Sequence, residues 1–138
     1  MIVIDAKNLI LGRLGTFVAK QALLGEEVKV VNCQDAVIVG TRRVILAKYK
    51  QKEEMGVPKK GPFQPKTPDR FVKKSFRGML PYKKTHGREA FERIRCFRTI
   101  PETLKKEKIT TLDKFNVLKT TNINFLKIGD ICKYLGGK

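Results

Sequence analysis

The apolar and polar positions divide the chain into a well-patterned first third, a basic middle and a weakly patterned stretch before a last helix. Residues 2–4 (IVI) are a short β-prone run ended by Asp5. In the segment that follows, Leu14, Phe17 and Val18 recur at helical spacing, with Arg13, Thr16 and Lys20 on the other side, and Gly25 stops the helix. Residues 27–31 (EVKVV) predict a second strand and 37–39 (VIV) a third. Two apolar strands joined through a helix make a βαβ unit, whose crossover is nearly always right-handed.

Thr41 stands where a helix cap is expected, and RRVILAKYKQKEEMG predicts a helix ending near Gly56. The pattern then breaks. Over residues 57–68, Pro58, Pro62, Pro65 and Pro68 interleave with Lys59, Lys60 and Lys66. A proline lacks the donor that helices and central strands need, so this segment predicts an extended, polyproline-like arm, mobile until a partner orders it.

Thr67, Pro68 and Asp69 supply a cap, a first-turn proline and a favourable negative charge for a helix over 69–80. Val72, Phe76 and Met79 share one face of it, and Arg70, Lys73, Lys74 and Arg77 line the opposite one. Pro81 ends it. After the turn YKKTHG, REAFER predicts a short helix and IRCFRTI a strand closed by Pro101. Residues 102–124 read as loop with minor strands. GDICKYLGG predicts a final helix with Ile128, Ile131, Cys132 and Leu135 on its apolar side, stopping at Gly136. The whole of 1–138 reads as one α/β domain, long enough to bury a core and too short for two comfortable ones.

Charge changes the picture most. Thirty Lys and Arg against 13 Asp and Glu leave +17 at pH 7, and 42–98 alone holds 18 basic and 5 acidic residues. Self-repulsion of that size is best tolerated beside a polyanion, which makes nucleic acid the leading partner. No segment approaches the ~20 apolar residues of a membrane span, and MIVIDAKN has no signal-peptide pattern, so no membrane partner is expected. Cys33, Cys96 and Cys132 are widely separated, lack a CxxC pair and have one histidine for company. They read as reduced, mostly buried thiols, with no metal site expected.

Two enzymatic readings compete with this one. VID, the GRLG turn (Gly12 to Gly15), VKVVN and Asp35 outline a dinucleotide-binding unit. Ile10 replaces the first glycine of that pattern, however, and Arg13 crowds the pyrophosphate position; close helix-to-strand packing with one outward arginine is favoured. Nucleophilic catalysis would rest on His86, which sits among Lys83, Lys84 and Arg88 with only Glu89 near to orient it. Phosphate or base contact and a plain turn residue both remain open for His86. No catalytic residue, cofactor or small-molecule substrate is expected.

The basic groups agree among themselves. A cationic helix stripe, a Pro/Lys arm, a basic turn and the aromatics Phe63 and Tyr82, which suit stacking on bases or sugars, point to structured RNA read by shape and phosphate position. The candidate RNA contacts are Arg13, Arg42, Arg43, Lys59, Lys60, Lys66, Arg70, Lys73, Lys74, Arg77, Lys83, Lys84, His86 and Arg88. Gly78 and Gly87 suit close approach of backbone to a ribose-phosphate chain.

VIDAKNLILGRLGTFVAKQALLGEEVKVVN, GPFQPKTPDR and above all RGMLPYKKTHGREAFERIRCF resemble the large-subunit ribosomal protein thirteen family, in its archaeal and eukaryotic branch. The resemblance covers residues 1–101 and, more loosely, the last helix. It implies a three-layer α/β/α domain with a four-stranded, mostly parallel sheet, a structural place in the large subunit of cytoplasmic ribosomes, and action early in assembly. Ribosomal RNA and neighbouring ribosomal proteins are the implied partners. Gly78, Met79, Leu80, Pro81 and Gly87, between Arg77 and Arg88, occupy the signature positions, with Met79 and Leu80 as packing residues. An extra-ribosomal messenger-RNA regulator, or a nucleotide-dependent enzyme using GRLG, are the alternatives.

Overall fold

The computed structural model describes residues 1–137. Strand β1 (Ile2–Asp5), helix α1 (Leu11–Leu23) and strand β2 (Val28–Val31) form the expected βαβ unit, with Ile2 opposite Val28 in a parallel pair. Strand β3 (Val37–Val39), helix α2 (Arg42–Glu54), helix α3 (Pro68–Gly78), helix α4 (Thr85–Glu92) and strand β4 (Ile94–Cys96) follow. Strands β5 (Ile109–Thr110) and β6 (Phe125–Lys127) and helix α5 (Ile128–Tyr134) complete the chain.

The sheet is four-stranded and all parallel, in the order β4-β2-β1-β5, and β3 pairs antiparallel with β6 outside it. The VIV strand therefore forms but does not join the main sheet. Its place there is taken by β5, two residues from the stretch read as loop. Pro101 is followed by a short 3-10 turn, Glu102–Leu104, that brings Leu104 back under the sheet.

Alternation along the strands sorts the core. Ile4, Val28, Val30 and Ile94 point to one face, where Leu14, Val18 and Ala22 of α1, Phe71, Val72 and Phe76 of α3, Ala90 of α4 and Ile131 of α5 cover them. On the opposite face Val3, Val31 and Leu104 meet Phe97, Ile100 and Ile109. The Cys33 thiol lies at the carboxyl ends of β2 and β4, where a hydrogen bond with Cys96 and then burial push its pKa up; burial pushes Cys132 up to about 11. All three cysteines are free.

Helix α2 is the exception to this packing. Ile45 is its one buried residue, and Tyr49 meets Phe71 with ring centroids 5.0 Å apart. Thr41 occupies the N-cap position without a side-chain cap bond, and Thr67 does the same on α3. A helix held by so few apolar contacts opens locally before the rest of the domain. In native-state hydrogen exchange the amides in the middle of α2 are expected to exchange faster than those of α1, which buries six residues, by about tenfold or more.

Candidate nucleic-acid interface

Helix α3 carries the cationic stripe, but the stripe is not uniformly free. The Lys73 ammonium lies over the Phe91 ring, 4.8 Å from its centroid, and the Arg77 guanidinium over Tyr82 at 4.1 Å. Phe91 and Tyr82 meet edge-on at 5.5 Å, so two cations one helical turn apart bracket two rings. Lys74 donates to the Phe63 carbonyl (3.2 Å) and to Gln64 Oε1 (3.1 Å). Arg70 is exposed, with no ion pair or hydrogen bond among the described residues.

The expected apolar face of α3 is also adjusted. The helix ends at Gly78, so Met79 and Leu80 lie past it. Phe71 takes the third packing place beside Val72 and Phe76, and Leu80 is buried. Met79, expected as a packing residue, is 40% exposed, its thioether lying against Gly15 of α1.

Residues 57–68 differ from an extended arm at their start. Val57 accepts from the amides of Lys60 (3.2 Å) and Gly61 (3.0 Å), so the chain turns back with Pro58, Lys59 and Lys60 at the bend. Lys66 forms a 2.7 Å ion pair with Glu53 of α2. Lys66 and Lys74 thus tie this segment to α2 and α3.

The signature after α3 builds a platform. The Lys84 amide donates to the Pro81 carbonyl (2.9 Å), and Arg88 on α4 donates from Nε to the Tyr82 carbonyl (3.3 Å) and from Nη2 to the Lys83 carbonyl (3.5 Å). Gly87 is buried, and a Cβ there would fall on the Pro81 carbonyl oxygen. Its lack of a side chain serves this protein contact, so the expectation that it makes room for a ribose-phosphate chain is corrected. Around Gly78, by contrast, nothing lies within 4 Å of an added Cβ. Arg88 therefore acts as a clasp that fixes the turn from which Lys83 and Lys84 project, both exposed. His86 sits in the first turn of α4 rather than in a loop, and is exposed.

Arg42 and Arg43 are exposed in the first turn of α2, where no acidic residue accompanies them. Two cations at the positive end of a helix dipole repel it, an arrangement relieved by an anion. Arg13 is exposed on α1, outside the platform. Among the described residues, Lys66 is the one candidate cation in an ion pair; the other pairs, such as Lys119–Asp113 and Lys127–Asp35, lie elsewhere. Where the other candidates have partners, those are carbonyls, an amide oxygen and rings, which leave the charge uncancelled.

The nucleotide-like outline resolves differently. The strand order reverses between β1 and β5, where open α/β sheets place their ligands. Here the Ile10 amide donates to the Phe115 carbonyl (3.0 Å) and the Val117 amide to the Asn8 carbonyl (2.9 Å), so the chain's own residues cover the loop before α1. Asp35, the acid of the outline, pairs with Lys127 at 3.2 Å. Among the described residues, no group of three His, Cys, Asp or Glu could hold a metal, and no helix is long and apolar enough to cross a membrane.

Several of these roles carried no signal in the sequence. The Lys73, Phe91, Tyr82, Arg77 bracket and the Arg93 guanidinium that donates to the Ala22 carbonyl at the end of α1 (3.2 Å) join positions no local pattern connects.

Residues 1–103 match the family described as Ribosomal protein L13. The chain is similar to the large ribosomal subunit protein uL13 of Thermoplasma volcanium, 42% identical over 137 residues that cover 99% of each chain. It is 40% identical to that of Methanosarcina barkeri over 139 residues, covering 100% of this chain and 99% of the relative. Against that of Natronomonas pharaonis the identity is 43% over 135 residues, 98% and 90% of the two chains.

Proposed function

Because the chain belongs to the ribosomal protein L13 family of the large subunit, a family of structural proteins rather than enzymes, we propose that it binds ribosomal RNA through the surface running from residues 57–68 over α3 and the 81–84 turn to α4, and through Arg42 and Arg43 at the start of α2. Neighbouring large-subunit proteins are its other partners, the ribosome of the cytoplasm is its place, and joining early in assembly is its timing.

One observation carries this reading. The segment, helix, turn and second helix are locked together by Lys74, Arg77 and Arg88 through carbonyls and rings, so the lock preserves positive charge on a rigid surface. Carboxylate partners would hold this surface about as well but would cancel its charge. The free charge is instead available to phosphates, which position an RNA without reading its sequence.

Filter binding of the full chain to large-subunit RNA over a series of salt concentrations tests it. Log affinity is expected to fall linearly with log salt, by about 0.7 to 0.9 for each phosphate neutralised. Affinity that does not change with salt would sink the reading. Early action is tested separately, by adding the protein at successive stages of subunit reconstitution; late addition that rescues assembly fully removes the timing.

A further inference from the structure

Beside the platform lies an open groove of about 570 Å³. Leu80, Pro81 and Tyr82 line it together with Arg77, whose guanidinium lies over the Tyr82 ring, 4.1 Å from its centroid. The rim carries Lys74, Lys83 and Lys84, and among the described residues none of the lining side chains is acidic.

We propose that this groove takes one unpaired nucleobase of the RNA, stacked against the Arg77–Tyr82 pair, with its flanking phosphates on Lys83 and Lys84. Three features select that occupant. A planar cation already stacked on a ring offers a flat surface of the kind on which unstacked bases settle, and single-stranded bases are what proteins read in structured RNA. The apolar floor favours a ring over a phosphate, which would lose its hydration there. The lysines at the rim lie where a backbone leaving the groove needs counter-charge, and they disfavour a basic protein segment. Gly78, which has open space around it, leaves the entrance unobstructed.

This site rests on the RNA-binding reading above, and the test separates the two. The full chain is titrated against a labelled oligouridylate and an oligomer of the same length and phosphate count lacking bases. The base-bearing oligomer is expected to bind about tenfold more tightly, with the same salt dependence for both. Tyr82→Leu and Arg77→Lys, the second of which keeps the charge, should bring the ratio close to one, and Tyr82→Phe should keep it. Phe63→Leu should also keep it, although Phe63 is the most exposed phenylalanine at 71%. Circular dichroism checks that each variant folds. Equal affinity for the two oligomers with salt dependence intact overturns the stacking site and leaves RNA binding standing. A ratio that collapses in Phe63→Leu alone overturns it by placing the stacking on the 57–68 segment. Salt-insensitive or absent binding of both oligomers overturns the groove, whereas the RNA-binding reading stands or falls on the salt dependence of binding to large-subunit RNA.

Discussion

Arg70→Glu, Lys83→Glu and Lys84→Glu in one chain are expected to lower affinity for large-subunit RNA by on the order of a hundredfold or more near ~0.1 M salt, and to reduce the slope of log affinity against log salt by about 2 to 3. These three are exposed and are not in ion pairs among the described residues. Reversing them removes phosphate contacts without unmaking a protein contact, so the melting temperature should stay within a few degrees of the parent. Relief of self-repulsion in a chain of +17 acts toward higher stability, which strengthens the contrast. Filter binding across salt and a thermal melt on the same preparations read both quantities. Affinity within about threefold of the parent would show that the RNA lies on another face.

Lys73, Lys74 and Arg77 make a poorer test, although on a helical wheel they look equivalent. Lys73 and Arg77 bracket the Phe91 and Tyr82 rings, and Lys74 holds the Phe63 and Gln64 segment. Reversal there loses cation–π attraction and a tie as well as charge, so a fall in affinity would mix two causes. The same holds for Arg88, whose guanidinium spans two carbonyls of the turn it supports.

This difference marks how far the sequence could be read. Strands β1 and β2 and helices α1 and α3 were legible because their apolar residues repeat with the periods of strand and helix, and burial enforces those periods. The two-residue strand β5 had no period to show. Ile109 is recognisable as sheet only once Val3, far away in the chain, is known to lie beside it. For β3 the local state was legible and its sheet was not, since pairing with β6 depends on where the segment between β5 and β6 returns the chain. At the interface, residue types and the signature were legible, because charge needs no fold to be counted. The division of those cations into ones that hold the platform and ones left free depends on contacts between α3, the turn and α4. Gly87 shows the same limit: the glycine stands out in the sequence, but the reason for it is the carbonyl of Pro81.

Gly87→Ala is therefore expected to be the most damaging single methyl group in the signature. A Cβ at this position falls on the backbone of Pro81, which cannot rotate aside as a side chain could. Forcing an extra carbon into such a contact costs about 3 kcal/mol at the upper end of ordinary overpacking. Alanine returns about 1 kcal/mol, because position 87 lies inside α4 and glycine is a poor helix former. The clash wins by about 2 kcal/mol, which for a domain of this size lowers the melting temperature by about 8 °C. At Gly78 the balance reverses: the space is open, so Gly78→Ala should leave the melting temperature unchanged or slightly higher. If the added carbon at 78 meets RNA at the mouth of the groove, affinity for RNA falls while stability does not. Thermal melts of the two variants decide the structural half. A Gly87→Ala melt within about 2 °C of the parent would mean that the Pro81 turn yields, and that Gly87 does not set the spacing between the turn and α4 that aims Lys83 and Lys84.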